Sequence, residues 1–184
     1  MMSNNIVILA GSPRKVSSTD KLAAAFAEGA KGAGHTVTTF RVADMKISGC
    51  LGCGHCFQKE GVCVQKDDMQ TILDAIRKAD TLVLASPVYF WGISAQLKLV
   101  IDRTYALLKE GTSIKQAALL MTCGEKIVAA AEPPIAMFRQ ICTYLKWQEA
   151  GVIVVPSIHE PQDIDGRPEL EQSKQLGSRV TVLS

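Results

Sequence analysis

The chain has 184 residues, 47% hydrophobic and 21% charged, enough apolar material for one core of ordinary domain size and too much for a disordered chain. Its 20 basic and 18 acidic residues leave a formal charge of only +2, which argues against a nucleic-acid footprint and against the acidic surface of a carrier steered to basic partners. No apolar run approaches the roughly 20 residues that cross a bilayer, and Ile6–Ala10 is too short for a signal peptide, so the expected location is cytoplasmic.

In that compartment the six cysteines are expected as thiols, metal ligands or redox groups rather than as structural disulfides. Ile6–Ala10 reads as a buried strand, followed by a polar loop and a helix over about Thr19–Gly32 that Gly34 is placed to stop. Thr36–Val42, rich in β-branched residues, reads as the second strand. Residues 43–66 break this rhythm and carry four cysteines. Asp67 or Asp68 then caps a helix whose apolar positions are Met69, Ile72, Leu73 and Ile76.

Thr81–Ala85 reads as strand three, followed by the loop Pro87–Gly92. The next helix shows an apolar face of Ile93, Leu97, Val100, Ile101, Leu107 and Leu108, with Lys98, Asp102 and Arg103 off the stripe. Ala117–Met121 is strand four, about Pro133–Trp147 a helix and Val152–Val155 strand five; Leu176, Val180 and Leu183 suggest a final helix. This alternation predicts a doubly wound parallel sheet. Ligands in such sheets sit beyond the carboxyl ends of the strands, which singles out the loops after strands one, three and four.

The first of these loops, Gly11-Ser12-Pro13-Arg14-Lys15-Val16-Ser17-Ser18-Thr19, joins a buried strand to a helix N-terminus. Free backbone N–H groups and the helix dipole favour an anion there, and Ser12, Ser17, Ser18, Thr19 and Arg14 add donors. The loop lacks the Gly-Lys-Ser/Thr ending of a triphosphate loop and the G-x-G-x-x-G of dinucleotide folds. Taken alone it reads equally well as a polar loop that merely caps a helix. In the third loop, Ser86-Pro87-Val88-Tyr89-Phe90-Trp91-Gly92-Ile93, three aromatics stand side by side in a chain that is only 5% aromatic. They suit a planar heteroaromatic ligand, or else packing under a helix or a subunit interface.

Together, Gly11-Ser12-Pro13-Arg14 with Ser18-Thr19, and Ser86–Gly92 running on to Leu97-Lys98 and Ile101-Asp102-Arg103, resemble one branch of the flavodoxin-like superfamily. It is the branch of NAD(P)H-dependent FMN reductases and iron–sulfur flavoproteins. The resemblance implies a flavodoxin-like three-layer α/β sandwich with a five-stranded parallel sheet in the order 2-1-3-4-5. It implies a single domain over residues 1–184, with a cysteine-rich insertion at about 43–66. FMN phosphate is expected at Ser12, Arg14, Ser17, Ser18 and Thr19, and the isoalloxazine against Pro87, Val88, Tyr89, Phe90 and Trp91. Thr122, Cys123 and Gly124 would close the other side of the ring site. Where the family usually has Gly-Asn before the Thr, Ser17-Ser18 stand here, which implies altered phosphate geometry rather than loss of the site.

Cys50, Cys53, Cys56 and Cys63 form C-x2-C-x2-C-x6-C among Gly49, Gly52, Gly54 and Gly61. Four thiolates in a Gly-rich loop suit a [4Fe–4S] cluster, and the spacing resembles the compact motif of iron–sulfur flavoproteins. Structural zinc, or a loop that stays reduced and empty or pairs as disulfides in air, are the alternatives. His55 is expected to face solvent, and Cys123 and Cys142 to act as small apolar core residues, although Cys123 falls close to the ring site.

The activity implied is transfer of electrons from NADH or NADPH through FMN to a flavin, quinone, metal ion or the cluster. No side chain stands out as general acid or base, and backbone N–H groups around residues 88–92 are expected to steady charge on the reduced ring. A homodimer or homotetramer is implied, with Phe57, Phe90 and Trp91 as candidate interface material. The rival is an electron-transfer or redox-sensing flavoprotein without reductase turnover. A hydrolase or nucleotide-binding domain on the same fold lacks any matching nucleophile or triphosphate motif.

Overall fold

The aliphatic and β-branched runs become strands β1 (Asn5–Ala10), β2 (Thr36–Arg41), β3 (Thr81–Pro87), β4 (Gln116–Thr122) and β5 (Gln148–Val155). The structure, a computed structural model, describes residues 3–181. All neighbouring strands pair in parallel, in the order β2-β1-β3-β4-β5. β3 and β4 are buried along their whole length, which is why their sequences are almost continuously apolar rather than alternating. β5 begins four residues before the expected Val152. Gln148 and Glu149 pair with Gln116 and Ala117 before a register slip at Ala117/Ala118, and such exposed polar residues carry no strand signal of their own.

The connections supply α1 (Ser18–Gly32), α2 (His55–Gln58), α3 (Met69–Arg77), α4 (Ala95–Arg103), α5 (Glu132–Leu145) and α6 (Pro168–Ser178). One sheet face, with Ile6, Ile8, Val83, Ala85 and Leu120, is covered by α1 and α6. The other face, with Val7, Leu9, Leu82, Leu84 and Met121, is covered by α3, α4 and α5. The resulting three-layer sandwich is the flavodoxin-like arrangement. Burying Met69, Ile72, Leu73 and Ile76 of α3 stabilises it by about 2 kcal/mol per side chain. Gly29 and Gly177 set the approach of α1 to α6, since a Cβ on either would fall 1.8 Å from Lys174 O or 2.1 Å from Phe26 O.

Helix ends explain most departures from the sequence reading. Asp67 rather than Asp68 takes the first amide of α3, through a 3.2 Å bond from Met69 N. α4 stops at Arg103 and gives way to a 3-10 turn over Thr104–Leu107, so Leu107 and Leu108 do not extend its stripe. α5 ends at Leu145, where Lys146 turns left-handed and Trp147 N bonds back to Cys142 O. α1 ends as expected before Gly34, which has a φ of +87°. Of the expected final helix, Val180 lies just past the end of α6 and Leu183 lies outside the described residues.

No helix among the described residues is long and apolar enough to cross a membrane. Strand order reverses between β1 and β3, and the loops after β1, β3, β4 and β5 meet at their carboxyl ends.

Candidate flavin site and cysteine loop

Gly11 leaves β1 with its N–H bonded to Ala85 O at 2.8 Å, while its carbonyl accepts from the buried Ser94 Oγ at 2.6 Å. A Cβ here would lie 2.7 Å from both Leu97 Cβ and Ser94 Oγ, so the close approach of this loop to α4 requires glycine. The chain then turns into α1, capped by Ser17, whose Oγ accepts from Asp20 N at 3.3 Å. The first helical bond runs from Lys21 N to Ser17 O, so the amides of Ser18 and Thr19 have no intrahelical acceptor and lie at the positive end of the helix dipole.

A small cavity of about 60 Å³ opens over this helix end. It is lined by Ser12, Arg14, Ser17, Ser18, Thr19, Pro87, Val88, Tyr89, Thr122, Cys123, Gly124 and Ile158. Its hydroxyls are not equivalent. Ser18 Oγ spends its proton on the carbonyls of Glu160 and Pro161, both at 3.2 Å. Thr19 and Thr122 hydroxyls lie 2.7 Å apart, so one of their two protons is used between them. Ser12 and Ser17 only accept, from Arg14 N and Asp20 N, and keep their protons for a further acceptor. Arg14 Nη1 donates to His159 O at 2.8 Å, which ties the loop after β5 to this one.

A second cavity of about 670 Å³ adjoins the first, shares Val88, Cys123 and Gly124 with it, and is further lined by Phe90, Trp91, Glu125, Lys126, Ile127, Ala130 and His159. At its rim Tyr89 and Gly92 exchange two backbone bonds, of 2.9 and 3.0 Å, closing a tight turn. Phe90 and Trp91 occupy the two central positions at φ +47° and +57°, where an L side chain costs about 1 kcal/mol or more. The strain displays both rings: Phe90 is 97% exposed and Trp91 62%, edge to face with centroids 5.9 Å apart. The broad expectation for amides 88–92 narrows, because Val88, Tyr89 and Gly92 N–H groups are already bonded within the protein. Phe90 and Trp91 N–H have no partner among the described residues.

Cys123 sits at the junction of the two cavities, buried, and its thiol is pushed up by burial and by the nearby Glu125 charge. Asp163 caps the loop after β5 by accepting from His159 N and Glu160 N at 2.8 Å, which holds its carboxyl below the usual range. Every residue named from the sequence for the cofactor lines one of the two cavities. The sequence reading missed Glu125–Ala130 and Ile158–His159. Their signal was positional, since they follow the carboxyl ends of β4 and β5.

The cysteine loop lies on the 3-10 turn after α4. Phe57 rests on Tyr105 with ring centroids 5.6 Å apart, and Lys109 Nζ reaches Phe57 O at 3.1 Å. Cys50, Cys53, Cys56 and Cys63 all line one cavity of about 490 Å³ together with Gln65, Asp102 and Tyr105. Among the described residues no three His, Cys, Asp or Glu side chains gather closely enough for a single ion. Cys56 is pushed up by burial, with its neighbours Cys63 and Cys50 adding to it.

Arg103 corrects the sequence reading. Expected off the apolar stripe of α4, it is 3% exposed and falls in step with Leu97 and Val100. Its Nη1 pairs with Asp67 and donates to Ser48 O at 3.2 Å, and Nη2 donates to Cys63 Sγ at 3.3 Å. Burial works against the Asp67 charge, yet bonds from Arg103, Ser48 N and Met69 N outweigh it and hold the carboxyl low.

A family model described as NADPH-dependent FMN reductase matches residues 4–158. An iron–sulfur flavoprotein of Archaeoglobus fulgidus is 40% identical over 93 residues, covering 50% of this chain and 42% of that protein. Another, from Methanosarcina thermophila, is 35% identical over 107 residues, covering 58% and 56%. The chain thus spans about half the length of these curated relatives. Among solved structures, an NAD(P)H:quinone oxidoreductase from Methanothermobacter marburgensis superposes with a TM-score of 0.79 at 21% identity, covering 96% of each chain.

Proposed function

Since the chain belongs to the NADPH-dependent FMN reductase family, we propose that it is an NAD(P)H-dependent FMN oxidoreductase built as a single FMN-binding domain over residues 1–184. One observation carries this reading. A hydroxyl-rich cradle at a helix N-terminus opens directly into an aromatic-rimmed cavity, the two joined at Val88, Cys123 and Gly124. The cradle suits a terminal phosphate, and the larger cavity suits a planar ring.

Ser12, Ser17 and the first amides of α1 would hold the phosphate, with Thr19 and Thr122 supplying one more proton between them. Arg14, Pro87 and Tyr89 would wall the passage, and Val88, Phe90, Trp91 and Gly124 would border the ring. The unpartnered amides of Phe90 and Trp91 would steady negative charge there. FMN, when bound, would supply the redox chemistry between NADH or NADPH and a flavin, quinone or metal-ion acceptor.

The four cysteines fit a [4Fe–4S] cluster better than zinc. All four line one cavity in a Gly-rich loop, and their spacing lacks the two separated C-x2-C pairs usual for structural zinc. Such a cluster would exchange single electrons. Exposed Phe57, Phe90 and Trp91 support self-association as a homodimer or homotetramer, and six unpaired thiols suit the reducing cytoplasm.

The test is steady-state oxidation of NADH and NADPH by the purified, FMN-loaded protein with free flavin or a quinone as acceptor. Turnover with either supports the reductase. A flavin-replete protein that oxidises neither nucleotide would fit electron transfer or redox sensing instead, the reading that the loop of unpaired cysteines favours.

A further inference from the structure

The geometry points to Arg103 as a positioning residue that raises the reduction potential of a cluster held by Cys50, Cys53, Cys56 and Cys63, through its hydrogen bond to Cys63 Sγ. This rests on the cluster reading above. Arg103 is the charged residue that α4 buries, and burying a guanidinium is unfavourable unless its donors are used; Nη1 and Nη2 find acceptors, while Nε has none among the described residues. Two of its contacts are accounted for by structure alone, since Asp67 and Ser48 O fix the loop that leads into α3. The third is not: Nη2 lies 3.3 Å from Cys63 Sγ, a weak acceptor as a thiol and a strong one as a thiolate ligand.

Asp67 and Ser48 O hold the fork from its Nη1 side, so Nη2 meets the sulfur in a fixed direction. Gly52 N adds a second donor toward the same cavity, to Cys50 Sγ at 3.5 Å. Adding one electron increases the negative charge on the cluster and its sulfurs. A cationic donor at one sulfur therefore stabilises the reduced form more than the oxidised form. The Asp67 carboxylate, paired to Nη1, carries the opposite charge and opposes this. The two members of one ion pair thus have opposite effects on the potential, whereas loss of a purely structural pair has no such sign.

Anaerobically reconstituted wild type, Arg103→Gln, Arg103→Lys and Asp67→Asn proteins would be titrated with dithionite, which supplies the single electron, and followed by electron paramagnetic resonance. Iron, sulfide and FMN contents are measured alongside. The expected result is a potential shifted negative in Arg103→Gln, less so in Arg103→Lys, and positive in Asp67→Asn, with FMN content unchanged. Unshifted potentials at full iron content, or shifts of the same sign in Arg103→Gln and Asp67→Asn, would overturn the role. If Arg103→Gln does not fold, Asp67→Asn decides: a negative or absent shift overturns it. Wild-type protein that takes up FMN but neither iron nor sulfide would overturn the cluster reading itself, a failure distinct from an unshifted potential.

Discussion

Ser94 Oγ donates to the carbonyl of Gly11 at 2.6 Å, so the residue that caps α4 also pins the loop leaving β1. The same oxygen accepts from Leu97 N at 3.3 Å, and Ser94 N donates to Ser86 Oγ at 2.8 Å. One buried serine thereby joins both cofactor loops. Ser94→Ala removes a helix cap and leaves a buried carbonyl unpaired, an expected loss of about 1–3 kcal/mol. Urea denaturation checks the loss, and weaker FMN binding should accompany it because the cradle is no longer held against α4.

The hydroxyl accounting ranks the cradle serines. Ser12→Ala and Ser17→Ala should each weaken FMN binding about tenfold, the scale of one lost hydrogen bond to a charged group at roughly 1.5 kcal/mol. Ser18→Ala should weaken it less, since that hydroxyl already serves Glu160 O and Pro161 O. Ser17→Ala should also cost about 1 kcal/mol of stability as a lost cap, a cost Ser12→Ala escapes. Fluorescence titration with FMN, paired with thermal melts, separates the two effects.

Trp91→Gly tests the strained turn. Glycine adopts φ near +57° without penalty, so the variant should be as stable as wild type or about 1 kcal/mol more stable. FMN affinity should nevertheless fall, because a ring at the rim of the larger cavity is lost. A variant that loses stability and keeps its affinity would remove Trp91 from the site.

Cys142 makes the fold sensitive to alkaline pH. Burial, with the Glu149 charge adding to it, pushes its thiol from 9.0 up to about 11. The folded protein holds this proton more tightly than the unfolded chain. Its contribution is complete below pH 9 and is lost as pH rises from about 9 to 11. Chemical denaturation across that window should show a decline that is shallower in Cys142→Ala, even though the variant starts from lower stability.

What the sequence revealed follows from physics. β3, β4 and the loops Gly11–Thr19 and Pro87–Gly92 were legible because buried parallel strands are continuously apolar and their ligand loops lie at predictable ends. The Gln148–Ala150 start of β5 was not, since exposed edge pairing needs no apolar pattern. Glu125, Lys126, Ile127, Ala130 and His159 reach the larger cavity from the connections after β4 and β5, where their position was the sole signal and their residue types carried none. Arg103 was misplaced because a charged residue in step with Leu97 and Val100 is read as solvated, and its partners Asp67 and Cys63 are remote in sequence. Ser17 and Ser18 are adjacent and chemically identical, and only the fold gives one a free proton and commits the other.

A single FMN molecule is expected to bridge the phosphate cradle and the ring cavity. Competitive titration of the flavin-free protein with FMN and with riboflavin tests it most directly, because the two differ only in the phosphate. FMN should bind stoichiometrically, and riboflavin more weakly by at least about a hundredfold, the scale of two charge-assisted hydrogen bonds. Equal affinity for both, or binding of neither, would contradict it.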